Sequence, residues 1–174
     1  MFSFFRKKTP VGLWVSTDIH CHILPGIDDG SPTVERSIEL VERMQEWGLK
    51  RIFASPHVTQ GSFCNTPETI GAARRRLQEA LDQRGNGLVL GNSAEYRLDD
   101  LFAEHRAKGI LQTLPGKRLL VENSFVQEPM GFDNLLFDLQ VDGFSPILVH
   151  PERYYYYYAT PERYRAIHNA GVEF

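Results

Sequence analysis

The chain has 174 residues, of which 42% are hydrophobic and 24% are charged. These proportions are those of a globular protein, and they exclude a largely disordered chain. The net charge of −3 argues against a protein that binds nucleic acid through bulk positive charge.

One domain is expected at this length. We assign residues 15–174 to it and residues 1–14 to a short N-terminal arm with aromatic and basic side chains. The cytoplasm is the expected location, because the two cysteines form no disulfide framework and no run of 18 apolar residues is present. The arm has its apolar residues before its charges, the reverse of a secretory signal, and a weak membrane-surface contact is the alternative for it.

Apolar runs alternate with amphipathic stretches along the chain, which predicts strands alternating with helices. Ser31 and Thr66 are predicted to cap the first two helices, and a proline follows each of them at the first helical position. This alternation implies right-handed β-α-β units and a parallel sheet, either as a barrel or as an open doubly wound sheet. The predicted strands are 15–21, 51–55, 88–90, 118–122, 145–149 and a sixth that begins at 172, and the predicted helices are 32–48, 67–81, 99–108, 132–141 and 161–170.

Side chains able to bind metal ions lie at or just beyond the carboxyl ends of five successive predicted strands. In parallel α/β folds these ends form one rim, so we expect the side chains to converge there. His20 and His22 are two positions apart and therefore point to the same side of their strand, where they can bind one cation. The candidates are Asp18, His20, His22, His57, Glu95, Glu122 and His150.

This mixture of imidazoles and carboxylates favours divalent manganese, iron or zinc. The set is too large for one tetrahedral site, so Glu95 or Glu122 is expected to bridge two or three ions. A single histidine at a strand end is more often solvated than a ligand, but five such strand ends in succession are hard to produce by chance. The remaining histidines, His105 and His168, lie within predicted helices and are interpreted as surface or packing residues.

Residues 18–30, from Asp18 to Gly30, closely resemble the opening motif of the PHP (polymerase and histidinol phosphatase) superfamily. Within it, the match is to the bacterial tyrosine phosphatases of capsule and exopolysaccharide loci, and residues 54–57, 94–96 and 150–154 resemble their later motifs in the same order. The resemblance implies a distorted, TIM-like β/α barrel of seven strands that holds up to three metal ions, commonly manganese. The metal ligands that it implies are His20, His22, Asp29, His57, Glu95, Glu122 and His150, and the catalytic residues are Arg153, which holds the substrate phosphate, with His57 and Asp29.

The resemblance implies metal-dependent hydrolysis of phosphotyrosine, on a bacterial tyrosine autokinase that controls polysaccharide synthesis. Family members continue into a further strand with an Asp-x-His pair, whereas this sequence ends at Phe174 without one. It is therefore interpreted as a fragment or a truncated member. Two alternatives stay open: another phosphomonoesterase similar to histidinol phosphatase, and a non-catalytic remnant that binds metal or a partner.

Two local features bear on the mechanism. A cysteine-dependent phosphatase needs an arginine six positions after its cysteine, but isoleucine stands there after both Cys21 and Cys64. The run of five tyrosines at 154–158 directly follows Arg153. Its rings either hold the ring of a phosphotyrosine or pack on their neighbours in a surface loop or helix turn.

Overall fold

The structure, a computed structural model, describes residues 14–174. The predicted arm lies outside the described residues except for Trp14, which is exposed. Seven parallel strands alternate with five α-helices in residues 14–174, which gives a mixed α/β fold. The strands are β1 (Thr17–Cys21), β2 (Arg51–Ala54), β3 (His57–Val58), β4 (Leu90–Asn92), β5 (Glu95–Arg97), β6 (Arg118–Glu122) and β7 (Ser145–Leu148). The helices are α1 (Val34–Glu46), α2 (Pro67–Gln83), α3 (Asp100–Ala107), α4 (Phe132–Val141) and α5 (Glu162–Asn169).

The strands form two parallel sheets, with the orders β1-β2-β4 and β3-β5-β6-β7. Only two residues separate β2 from β3, and only two separate β4 from β5, so the same two chain segments contribute to both sheets. Backbone hydrogen bonds connect the segments at the break, since Ser93 N donates to Ala54 O at 2.8 Å and Glu95 N donates to Pro56 O at 3.0 Å. Pro56 has no N–H group to continue the ladder, which accounts for an interruption at this point.

The sequence prediction differs from this topology in two places. Residues 57–58 were expected in a loop but form β3, and the strand predicted at 88–90 is instead β4, followed by β5 after the break. The predicted strand at the end of the chain is confirmed as a parallel bridge, in which Leu148 N donates to Glu173 O at 2.9 Å. No helix within residues 14–174 combines the length and the apolar composition that a membrane crossing requires.

The first two helix starts show what local sequence specifies. Thr66 caps α2 as predicted, because its hydroxyl accepts from Thr69 N at 3.3 Å. The prediction for Ser31 is wrong: Thr33 caps α1, and its hydroxyl accepts from Arg36 N at 3.2 Å. Ser31 is buried and its N–H donates to His22 O at 3.0 Å, so it belongs to the turn that precedes the helix.

The helices pack on the sheets through apolar stripes with helical spacing. In α2 the buried side chains of Ile70, Leu77 and Leu81 share one face, and they belong to the same core cluster as Ile52 and Leu119 of the strands. Burial of this kind fixes the strands relative to one another. The polar residues that the sequence singles out are therefore carried on strand ends that the core holds in place.

Candidate metal centre

The centre of the polar cluster is the carboxylate of Glu95, which is fully buried at the start of β5. Its Oε2 lies 3.1 Å from His20 Nε2, 3.1 Å from His22 Nε2 and 3.3 Å from His57 Nδ1. Its Oε1 lies 2.7 Å from Nε2 of His150. Four imidazoles from three separate segments of the chain thus surround one carboxylate, as the strand-end argument predicted.

Two further predicted residues lie at the edge of this cluster. Glu122, at the end of β6, has its Oε1 3.9 Å from His57 Nδ1 and its Oε2 3.5 Å from His150 Nε2. Asp29 has its Oδ1 3.6 Å from His57 Nε2, and its side chain is 67% exposed. Asp18 is not brought into the cluster, because its carboxylate accepts a hydrogen bond from the backbone N–H of His20 at 2.9 Å.

Asp28 orients the cluster, although its sequence position alone predicts no role for it. Its Oδ2 lies 2.7 Å from His22 Nδ1 and accepts from His57 N at 3.1 Å, while its Oδ1 accepts from Gly30 N at 3.0 Å. This carboxylate turns Nε2 of His22 toward Glu95, an arrangement common behind metal-binding histidines. The signal that could have identified it is the first acid in the Asp-Asp-Gly sequence of the opening motif.

Gly30 allows the opening motif to close on itself. A Cβ atom at this position would lie 2.1 Å from His22 O and 2.4 Å from His22 Cβ. Only glycine fits this approach without displacing His22. The motif is therefore a turn whose two ends meet at a histidine of the cluster.

The chain after β7 holds His150 in an unusual conformation. Its φ of 35° and ψ of 58° lie in the left-handed region, which non-glycine residues rarely adopt. Residues Pro151–Arg153 and Tyr155–Tyr157 then form two 3₁₀ turns. Backbone strain of this kind persists only where surrounding contacts impose it, and it is frequent in functional sites.

The tyrosine run supplies those contacts. The hydroxyl of Tyr154 donates to Val149 O at 3.0 Å and accepts from Asn123 N at 3.1 Å, and Tyr156 donates to Ser124 O at 3.0 Å. Tyr154 and Tyr157 are buried. Of the two interpretations of the run, the structure favours packing.

A cavity of about 190 Å³ adjoins the cluster. Phe63 and Phe125 form its aromatic walls. In the part of the chain that the structure describes, none of the five tyrosines at 154–158 lines this cavity. The residues that line it are Asp29, His57, Thr59, Ser62, Phe63, Arg97, Glu122, Phe125 and Arg153. A larger cavity, of about 430 Å³ between α3 and α4, contains no side chain of the cluster. We therefore place the candidate site at the smaller cavity, because it brings charged and aromatic groups together.

The charges of the cluster compensate one another. Burial alone would raise the pKa of Glu95, but hydrogen bonds from His150, His20 and His22 hold the pKa well below its ordinary value. Burial would likewise lower the pKa of His22, but hydrogen bonds to Asp28 and Glu95 outweigh it and raise the pKa to about 10. A proton on the His22 imidazole therefore helps to balance the buried carboxylates where no other cation does so.

The residues present fit divalent cations. Two ligand atoms that each lie about 2.1 Å from one ion are about 3.0–3.4 Å apart, which matches the distances from Glu95 Oε2 to its histidines. His57 Nδ1 and Glu122 Oε2 are buried without a hydrogen-bond partner. Three groups of ligand atoms, each within 4.8 Å of one another, share members and could hold neighbouring ions: His20, His22 and Glu95; His22, Asp29 and His57; His57, Glu95 and Glu122.

The other histidines and the cysteines lie outside the cluster. His105 is buried edge-on against Tyr96, with ring centroids 6.1 Å apart, and His168 is exposed and stacks on Phe174. The thiol of Cys21 faces Phe53 O at 3.7 Å, and Cys64 is exposed. The interpretation of both histidines as surface or packing residues agrees with these positions.

Comparison with known proteins gives a consistent set of matches. A family model described as capsular polysaccharide synthesis, CpsB/CapC, matches residues 16–174. The tyrosine-protein phosphatase YwqE of Bacillus subtilis is 34% identical over 137 residues, which are 78% of this chain and 54% of that protein. The tyrosine-protein phosphatase CpsB of Streptococcus agalactiae is 29% identical over 156 residues, which are 88% of this chain and 64% of that protein.

A solved structure has the same fold. It comes from crystal structures of YwqE from Bacillus subtilis and CpsB from Streptococcus pneumoniae, described as unique metal-dependent tyrosine phosphatases. The match has a TM-score of 0.83 and 31% sequence identity, and it covers 90% of this chain and 64% of that chain. The chain spans 54% of the length of YwqE and 64% of that of CpsB from Streptococcus agalactiae.

The substitution Glu95→Gln tests the centre of the cluster. We expect it to abolish retention of divalent ions, because a neutral amide replaces the carboxylate that four imidazoles share. Elemental analysis after dialysis against Mn²⁺ measures retention. Thermal unfolding measures how much the bound ion stabilises the folded chain. For the unsubstituted chain we expect the free energy of unfolding to rise by about 2.7 kcal/mol when the free ion concentration is about 100 times the Kd. His168→Gln, outside the cluster, is the control, and equal metal retention by the two variants would contradict the assignment.

The substitution Asp28→Asn tests the orienting role of that carboxylate. It preserves the shape of the side chain but removes the charge that fixes His22. We expect the affinity for Mn²⁺ to fall roughly 10- to 100-fold, as for other groups that orient a ligand. Calorimetric titration with Mn²⁺ measures the change in affinity. Asp138→Asn, on the exposed face of α4, should leave the affinity unchanged, and an unchanged affinity in Asp28→Asn would show that His22 needs no such support.

Proposed function

The chain belongs to the CpsB/CapC family of capsular polysaccharide synthesis, and from that premise we propose that it is a metal-dependent protein-tyrosine phosphatase. The observation that carries the proposal is the Glu95 carboxylate among four imidazoles, next to a cavity that Arg153 lines. The proposed substrate is phosphotyrosine on a bacterial tyrosine autokinase that regulates capsule or exopolysaccharide synthesis. The relatives' names as tyrosine-protein phosphatases support this substrate class.

We propose further that residues 15–174 form one domain in which the two sheets are parts of a distorted β/α barrel of the PHP type. Its parallel strands and the alternation of strands with helices support this. Manganese is the proposed metal, with iron and zinc as alternatives, because the ligands combine imidazoles with carboxylates. The proposed location is the cytoplasm, where an autokinase domain would be accessible.

The proposed ligands are His20, His22, Asp29, His57, Glu95, Glu122 and His150. Divalent ions bound to them would lower the pKa of water toward neutrality and neutralise charge on the phosphate oxygens. The protein's own part is to hold these groups in place, and it does so with the buried Glu95 and with Asp28 behind His22. His57 and Asp29 line the cavity with Arg153, so these three residues would lie at the reacting phosphate.

Arg153 has a guanidinium group that is available to bind an anion. Its Cζ lies 4.2 Å from the centroid of the Phe125 ring, and its guanidinium has no ion pair among the described residues. The planar guanidinium can therefore donate two hydrogen bonds to phosphate oxygens. Phe63 and Phe125 offer apolar walls for the phenyl ring of the substrate. Tyrosinate, with a pKa of about 10, leaves more readily than an alkoxide, so the demand for a general acid is modest.

Phosphate release from a phosphotyrosine peptide tests the function directly. The chain is stripped of metal and assayed with and without Mn²⁺, and activity is expected only with the ion. Activity that survives chelation would contradict the metal mechanism, and equal turnover of histidinol phosphate would contradict the substrate class. Tight retention of ions without turnover would identify a non-catalytic protein.

The substitution Arg153→Lys tests phosphate recognition. Lysine keeps the positive charge but cannot donate the paired hydrogen bonds or stack on Phe125 in the same way. We expect kcat/KM for a phosphotyrosine peptide to fall roughly 10- to 100-fold, the cost of a lost charged hydrogen bond. Arg165→Lys, at an exposed position of α5, is the matched control. An unchanged kcat/KM in Arg153→Lys would remove this residue from the site.

A further inference from the structure

Arg97 lies beside the metal centre, and neither the resemblance nor the sequence pattern assigns it a role. It is the last residue of β5, two positions after Glu95, so both side chains point to the same side of the strand. Its Nε donates to Glu122 Oε1 at 2.9 Å, and its side chain is 24% exposed. Arg97 therefore reaches the cavity from the strand that also carries the central carboxylate.

The guanidinium groups of Arg97 and Arg153 both contact the ring of Phe125. The Cζ atoms of the two arginines are 5.0 Å and 4.2 Å from its centroid. Such cation–π contacts orient a guanidinium without using its N–H donors. Phe125 therefore helps to hold two positive groups at one cavity of about 190 Å³.

Most of the donors of Arg97 are unused. Only Nε has a hydrogen-bond partner among the described residues, so the terminal N–H groups are available to a ligand. An arginine that served only to hold Glu122 would need neither this surplus nor a position in the cavity lining. A guanidinium with free N–H groups is the preferred partner of a phosphate in proteins.

The charge of the substrate favours more than one positive side chain at the cavity. Asp29 and Glu122 also line it, and these carboxylates would offset part of the charge of bound metal ions. They also repel a phosphomonoester dianion, and positive side chains that face the dianion offset this repulsion. The guanidinium groups of Arg97 and Arg153 can supply such charges to different phosphate oxygens.

We propose that Arg97 is a second phosphate-binding residue, which acts with Arg153 on the phosphate group of the substrate; this inference rests on the proposed phosphatase function. Arg97 has two contacts in this arrangement. Nε holds the carboxylate of Glu122, and the terminal N–H groups bind phosphate. Recognition of the phosphate is thereby linked to the position of a proposed metal ligand.

Calorimetric titration of the Mn²⁺-loaded chain with inorganic phosphate tests the proposal without turnover. Arg97→Gln should weaken phosphate binding roughly 10- to 100-fold, the effect of losing charged hydrogen bonds. Arg97→Lys, which keeps the charge and loses the planar fork, should weaken it less. The matched control is Arg118→Gln, because Arg118 also pairs with one carboxylate, that of Glu173, but does not line the cavity.

Bound manganese is counted in the same samples, which separates the two contacts of Arg97. Phosphate affinity that is unchanged in both Arg97 variants overturns the proposal, including where manganese is lost, because Arg97 would then act on Glu122 alone. Absence of phosphate binding by the unsubstituted loaded chain overturns it as well. Arg97-dependent phosphate binding in a chain that does not hydrolyse phosphotyrosine would support the proposal while contradicting the proposed function.

Phe125→Leu is the second variant, and it keeps the proposal testable where Arg97→Gln does not fold. Leucine removes the aromatic face from both guanidinium groups but leaves their charges in place. Circular dichroism verifies the fold of each variant. Weaker phosphate binding with unchanged manganese content is expected. Phosphate binding as tight as in the unsubstituted chain would show that the Phe125 ring does not orient the two guanidinium groups for phosphate.

Discussion

The buried carboxylate of Glu95 is the constraint on which the site depends. An isolated charge without contact with water is costly, so a cation or a set of protonated donors must face it. Histidines from β1, β3 and the end of β7 meet this requirement at distances of 2.7–3.3 Å. Strand ends far apart in the sequence are thereby brought to one point by electrostatics as well as by the core.

The interruption between the two sheets connects the fold to that carboxylate. Because the chain shifts at Ser55-Pro56 and again at Ser93-Ala94, His57 and Glu95 become the first residues of two paired strands. If the hydrogen-bond ladder continued without a break, His57 and Glu95 would stay in the same sheet as β2 and β4. The interruption therefore helps to place these two residues in the site, and it lies where the sequence has a proline and small residues.

The sequence predicted those parts of the site that depend on local spacing. The relation of His20 to His22 follows from strand periodicity, and the end of β6 at Glu122 follows from an apolar run of clear length. The strand β3 has two residues and no periodicity to detect, so it was missed. Arg97 was also missed, because its partner Glu122 is 25 positions away and nothing in the intervening sequence indicates the contact.

The hydroxyl groups of the tyrosine run have a mechanical consequence. The hydroxyl of Tyr154 connects the backbone after β7 to Asn123, and that of Tyr156 binds Ser124. These hydrogen bonds brace the segment after β6 against the segment after β7. Val149 precedes His150 and Asn123 follows Glu122, so these hydrogen bonds hold the two side chains in position relative to each other. Loosening the brace at a residue remote from the cavity would misalign both groups together, while every ligand atom remained chemically intact.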